Sequence, residues 1–151
     1  ARSGWLIIDI AKRRPLRPQA VMDALPQNTG LDALPSGAAG LAERHDLQKA
    51  GERTALYTDV DYNGHVNNVR YIQWIEDSLD PALLEKAGSM RLDINYLNEI
   101  LPGELTGIWS APLGDPAASG GVEPANAAFA FEGRKVEGGQ AAFRAELRLW
   151  Y

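Results

Sequence analysis

The chain has 151 residues, 45% of them hydrophobic, which supports one modest core and falls short of two ordinary domains. A net charge of -5 argues against a nucleic-acid surface, which must be basic to neutralise phosphates, and the lack of cysteine excludes disulfides, thiolate metal sites and a thiol nucleophile. Two histidines, His45 and His65, are poor material for a transition-metal site, so neither metal nor cofactor is expected.

From the N-terminus, Trp5-Leu6-Ile7-Ile8-Asp9-Ile10 reads as a strand, stopped by Lys12-Arg13-Arg14-Pro15 and with nothing nearby to pair with. Proline and glycine then recur among Ala and Leu without a period, so residues 15–52 read as a connector, with a helical turn at Pro18 to Leu25 and a domain boundary. Arg53 to Asp59 is strand-like. Val66, Val69, Ile72, Ile75 and Leu79 form an apolar stripe at helical spacing, and Asn67 or Asn68 is placed to cap that helix. Asp80-Pro81 ends or kinks it, and Pro81 to Ala87 adds a turn.

Four strands follow, at Met90 to Leu97, Glu104 to Ala111, Asn126 to Glu132 and Ala141 to Trp150. In the last, Ala141, Phe143, Ala145, Leu147 and Leu149 alternate with a mostly charged set, so one face is core and the other wet. A strand, one long helix and four strands make an α+β unit whose antiparallel sheet wraps the helix.

Between the first strand and the helix the chain reads DYNGHVNN. In an extended segment Asp61, Asn63 and His65 would present a carboxylate, an amide and an imidazole on one side, beside the free amides of a helix start. Those are the parts needed to pass an acyl group to water. Asp-Tyr-Asn-Gly is equally good turn chemistry, a His beside a helix start is commonly a structural hydrogen-bonder, and a strand Glu such as Glu99 is commonly a solvated side chain. Tyr71 and Trp74 read as helix packing, and His45 as a solvated connector residue.

Asp61, Asn63, His65, Val66, Asn67, Asn68, Tyr71, Ile72 and Trp74 together resemble the signature of acyl-acyl carrier protein thioesterases, in the second of their two hotdog-fold halves. Trp5 to Asp9 with Arg13-Arg14-Pro15 is similar to the closing strand of the first half, and Ile94-Asn95-Tyr96-Leu97-Asn98-Glu99 falls at the family's Tyr-x-x-Glu strand. The resemblance implies residues 1–14 as the end of a first hotdog, 15–52 as connector and 53–151 as a complete second one. It therefore also implies a piece of a longer protein, in keeping with the missing initiator Met.

In that family the second half supplies the catalytic residues and the first half most of the acyl pocket. The resemblance assigns Asp61, Asn63, His65 and Glu99 to catalysis and Asn67 and Asn68 to substrate binding. One of the two carboxylates, Glu99 or Asp61, would activate water; with Glu99 as general base, Asn63 would hold the water or the thioester carbonyl, His65 would bond to the same cluster, and Asp61 would fix Asn63 and the first-turn amides. Ile100 stands where plant members carry a cysteine, so no thiol acts here.

The implied partner is acyl carrier protein bearing an acyl-phosphopantetheine. Such carriers are acidic, which gives Arg13, Arg14 and Arg17, with Arg53 and Arg70, a docking role. No nucleic acid or membrane span is expected, since no run reaches the roughly 18 residues of a span. A lone hotdog pairs as a homodimer or with the missing first half. Composition without a transit peptide leans to a bacterial, cytoplasmic protein. The alternatives are an acyl-coenzyme A thioesterase, whose relatives carry a similar His-Val-Asn-Asn, and a non-catalytic hotdog that binds acyl chains or dimerises.

Overall fold

The computed structural model describes residues 2–4, 7–9, 11–12, 14–17, 30, 33–34, 37, 39–114 and 125–151, in two compact units, Ala1–Ala39 and Gly40–Tyr151. In the first unit β1 (Ile8–Asp9) and β2 (Arg14–Pro15) pair antiparallel, with Ile8 opposite Pro15 and Asp9 opposite Arg14. The partner that β1 lacks in the sequence reading is thus the basic stretch expected only to stop it. Asp9 makes the reversal, its Oδ1 accepting from the amides of Ala11 and Lys12 at 3.0 Å each. Trp5, Leu6, Ile10, Arg13 and the expected turn at residues 18–25 lie outside the described residues.

The second unit runs β3 (Gln48–Thr54), a 3-10 turn (Tyr57–Asp59), α1 (Asn68–Glu76), α2 (Pro81–Lys86), β4 (Ser89–Tyr96), β5 (Leu105–Pro112), β6 (Ala127–Lys135) and β7 (Ala141–Trp150). Its five strands lie in the order β3-β5-β6-β7-β4, every neighbouring pair antiparallel. The first strand sits earlier than Arg53 to Asp59: β3 begins inside the stretch read as connector and gives way to the 3-10 turn. Apolar periodicity does not find it because it is an edge strand of mostly exposed polar residues, bulged between Lys49 and Gly51 and held by its ladder to β5.

The helix is shorter than the stripe suggests, and its buried face is different. Val66 precedes it, Val69 is 58% exposed, and the residues turned to the core are Tyr71, Trp74 and Ile75. Spacing of three and four is satisfied by both sets. Two aromatic rings bury more apolar area than Val69 and Ile72, which decides the rotation. Asn67 is the cap, its side chain accepting from the Val69 amide at 2.9 Å. Asp80 caps α2 in the same way, with Pro81 in its first turn.

The alternation expected for β7 is present. Phe143, Ala145, Leu147 and Leu149 are buried against α1 together with Ile108 of β5 and Phe131 of β6, while Arg144, Glu146 and Arg148 line the opposite face. On that outer face Glu132 is only 3% exposed, lies opposite Arg144 in the β6–β7 ladder, and bonds to Arg144 Nε at 2.6 Å and Arg134 Nε at 2.5 Å. The Arg134 guanidinium in turn lies 4.8 Å from the centre of the Trp109 ring.

Burial alone would push the Glu132 carboxyl up, but its bonds to Arg144 and Arg134 outweigh burial and hold it below its ordinary value of 4.5. A carboxyl depressed by folding contributes stability above pH 4.5, and loses it as pH falls through the lower folded value. Glu132→Gln is expected to lose about 2 kcal/mol at neutral pH, discounted from a fully buried pair because both arginines are partly exposed. Urea midpoints of the two proteins should converge as pH drops below that window, whereas a constant gap would show that the carboxylate charge is not what matters.

Candidate active site

The segment 61–65 is not extended. Val60 bridges Val66 antiparallel, the Asp61 amide donates to the His65 carbonyl at 3.0 Å, and the Gly64 amide donates to the Asp61 carbonyl at 3.0 Å. Gly64 takes φ +82°, the left-handed conformation such a reversal needs. Asp61, Asn63 and His65 are therefore gathered by a tight turn and not by strand alternation. Asp61 Oδ1 accepts from the Asn63 amide at 2.8 Å, the local bonding that makes Asp-x-Asn-Gly turn-prone. The Asn63 side chain is exposed, and His65 is half-buried with Nδ1 3.3 Å from the Val66 carbonyl.

The first-turn amides are held by the expected cap, Asn67, and not by the Asp61 carboxylate. Asn67 occupies the Val69 amide, the Arg70 amide donates to the Asn67 carbonyl, and the Asn67 amide donates to the Asp59 carbonyl at 2.8 Å. Asp59 ties the approach to the helix to its first turn: its Oδ2 accepts from the Leu56 amide and its Oδ1 pairs with the Arg70 side chain. Among the described residues the Asn68 amide alone in this turn has no acceptor. Arg70 also donates to the Thr58 carbonyl and to Gln73, and Arg53 pairs with Asp77 at 3.7 Å, so both proposed docking arginines have intramolecular work.

Glu99 is exposed in the loop after β4, and its neighbour Ile100 is fully buried. The Ile100 carbonyl accepts from the Val66 amide at 2.8 Å. His65 and Glu99 therefore each directly precede a partner in one backbone hydrogen bond. Beyond Ile100 the loop is tied down again: Gly103 N donates to Ala55 O, Ala55 N to Glu104 O, and the Leu101 amide to Glu104 Oε2 at 2.8 Å.

Residues 43–144 match the family described as acyl-ACP thioesterase C-terminal domain. The chain belongs to that family. A chloroplastic palmitoyl-acyl carrier protein thioesterase of Arabidopsis thaliana is 32% identical over 74 residues, 46% of this chain and 18% of the relative; one from Cuphea hookeriana is 37% identical over 67 residues, 44% and 16%. Among solved structures, a 12:0-ACP thioesterase from Umbellularia californica superposes with TM-score 0.62 at 19% identity, covering 93% of this chain and 51% of that one. An acyl-ACP thioesterase from Bacteroides thetaiotaomicron gives 0.57 at 23% identity, covering 93% and 52%. The chain thus spans less than a fifth of the curated relatives in aligned length, and about half of the solved ones. The shared architecture is the hotdog fold.

Within this acyl-ACP thioesterase domain one residue near the site lies beyond the sequence reading. Tyr71, expected to be simple packing, is 3% exposed and meets Trp74, Tyr96 and Phe143 edge-to-face, with ring centres 5.6, 5.5 and 5.2 Å apart. Burial pushes its phenol up to about 12, partly opposed by the backbone amide of Ile100 at its oxygen, while the charges of Tyr96, Glu99 and Glu104 add to the rise. The phenol therefore stays protonated at neutral pH. Tyr96 donates its own hydroxyl to the Asn68 carbonyl at 3.2 Å. The only signal in the sequence is the polar tip on an otherwise apolar ring. Of the residues assigned to docking, Arg14 and Arg17 are exposed in the N-terminal unit and Arg13 is outside the described residues.

Proposed function

We propose that this domain is the catalytic half of an acyl-acyl carrier protein thioesterase and hydrolyses the thioester between a fatty acyl group and carrier-bound phosphopantetheine. Beside the family match, the observation that carries the reading is the Val66–Ile100 hydrogen bond, which brings the backbone of the Asp61–His65 turn and that of Glu99 together at the start of α1.

Glu99 takes a proton from water as its oxygen bonds to the carbonyl carbon. The tetrahedral intermediate collapses, the carbon–sulfur bond breaks, and the proton passes from Glu99 to the departing thiolate. Asn63 and the Asn68 amide hold the carbonyl oxygen as it gains negative charge. Asp61 fixes the Asn63 backbone, and a His65 that donates from Nδ1 to the Val66 carbonyl keeps Nε2 as an acceptor for the same cluster. Asn67 contributes to substrate binding by holding the helix start in shape.

The acidic carrier docks on the exposed arginines Arg14 and Arg17, with Arg13 completing the basic cluster in the sequence. β4 lies at the edge of the sheet, where a second hotdog, either another copy or the first half that shapes the acyl pocket, would pair. Presenting one acyl chain on acyl carrier protein and on coenzyme A tests the donor. Carrier-protein kcat/KM is expected to be at least about tenfold higher, a difference of about 1.4 kcal/mol in transition-state binding. Equal values would redirect the assignment to a coenzyme A thioesterase, and hydrolysis of neither would leave a non-catalytic hotdog.

A further inference from the structure

β4 and β7 pair residue by residue from Ser89 opposite Trp150 to Tyr96 opposite Phe143, and beyond that point the pairing changes. The Leu97 amide donates to the Ala142 carbonyl at 2.8 Å, as a further rung would, but the Asn98 amide turns to the same carbonyl at 3.1 Å. The next carbonyl along β7, that of Ala141, takes the Asn98 side chain instead, with Nδ2 donating to it at 2.7 Å. A side-chain amide is the nearest chemical copy of a peptide N–H. Asn98 thus supplies a rung from its side chain while its backbone leaves the sheet.

The next residue to leave is Glu99. It is followed by Ile100, which is fully buried and whose carbonyl accepts from the Val66 amide at 2.8 Å. Glu99 therefore stands between two anchored neighbours, one tied to β7 and the other to the residue that closes the polar turn. The two anchors differ in strength. Ile100 is held by burial as well as by its carbonyl, and the chain beyond it is tied down through Leu101 and Gly103. Asn98 is exposed, and the backbone amides of residues 97 and 98 share one acceptor, so the bond from Nδ2 to Ala141 is what gives this side a second point of attachment.

We infer that Asn98 is a positioning residue for Glu99: by donating to the Ala141 carbonyl it fixes the point at which the chain departs from β4, and so sets where the Glu99 carboxylate stands relative to Asn63 and the Asn68 amide. The inference rests on the general-base reading of Glu99. Asn98 acts through the peptide that joins it to Glu99 and not through contact with substrate.

Asn98→Leu keeps the branched outline of the side chain and removes the donor. In the full chain, amide hydrogen exchange at Asn98 is expected to speed up about tenfold while exchange in β5 and β6 stays unchanged. Unchanged protection of that amide would overturn the inference, whatever the activity. In hydrolysis assays kcat should fall about tenfold with KM unaltered, because the group lost acts on the placement of a catalytic carboxylate and not on binding. Asn98→Ala, which removes the donor without adding an apolar branch at an exposed position, should give the same pattern, and a loss confined to the leucine variant would count against the hydrogen bond.

The decisive comparison is Asn98→Leu made in a Glu99→Gln background. A residue acting through Glu99 loses its effect on kcat there, whereas a merely structural asparagine subtracts the same factor in both backgrounds, which would overturn the inference. A Glu99→Gln protein with full activity would remove the general-base reading and the positioning role with it. A crippled Glu99→Gln protein beside an Asn98→Leu protein of undiminished kcat would remove the positioning role alone.

Discussion

Glu99→Gln is expected to lower kcat for thioester hydrolysis by about 10²- to 10⁴-fold with little change in KM, the loss that follows removal of a general base. The amide has nearly the shape of the carboxyl but cannot take a proton from water. Glu99 is exposed, and the Ile100 and Glu104 bonds that shape its loop are made by the backbone and by another carboxylate. An amide of nearly the same shape at an exposed position should leave the thermal midpoint close to that of the parent chain. Asp61→Asn makes the informative contrast. Asp61 Oδ1 accepts from the Asn63 amide, a bond that an Asn side chain can also make, so a milder loss is expected there. Equal and full rates for both variants would leave the family assignment standing and remove the chemistry proposed for these two groups.

Gly133→Ala is expected to be the most damaging small change in the core. Gly133 lies opposite Phe143 in the β6–β7 ladder, on the face that receives α1, and Phe143 is fully buried. A Cβ at Gly133 would stand 2.1 Å from Phe143 Cε1, 2.6 Å from Cδ1 and 2.8 Å from Cζ. The ring cannot swing away, because Tyr71 packs against it with centroids 5.2 Å apart. Overpacking at such a site costs about 3 kcal/mol, equivalent to a fall in melting temperature of roughly 10 °C for a chain of this size. Phe143→Leu in the Gly133→Ala background should recover part of that loss, although Phe143→Leu alone destabilises. Additive losses in the double variant would mean that the ring and the missing Cβ do not compete for the same space.

These two positions mark how far local pattern reaches. The alternation of β7, the turn residues of Asp61–Gly64, the capping Asn67 and the Asp80-Pro81 helix start all follow from chemistry within a few residues, and all are legible in order along the chain. Gly133 carries no such mark. Its purpose is to make room for a ring on the neighbouring strand, and nothing adjacent to it in sequence says so. β3 escapes for a related reason: its stability comes from hydrogen bonds to β5, more than fifty residues away in the chain, and its own side chains are polar and exposed.

The polar trio was legible as a set of residues and misread in conformation. Alternate spacing fits a strand, but a glycine at positive φ and an aspartate bonded two residues ahead fold the same spacing into a turn. The start of α1 is likewise held by Asn67 and by Asp59, whose carbonyl accepts from the Asn67 amide and whose carboxylate pairs with Arg70, while Asp61 bonds to Asn63 within the turn.

Residue type and short-range spacing alone determined the α+β class, the helix cap, the core face of β7 and the polar trio Asp61, Asn63 and His65, while Glu99 and the catalytic assignment came with the family resemblance. Tertiary structure decided which face of α1 is buried, where β3 lies, and that the backbone of Glu99 is held beside the polar turn through Ile100. The division has one physical cause: turns, caps and alternation are settled by neighbours along the chain, whereas packing of rings and pairing of distant backbones depend on residues that only the fold brings together.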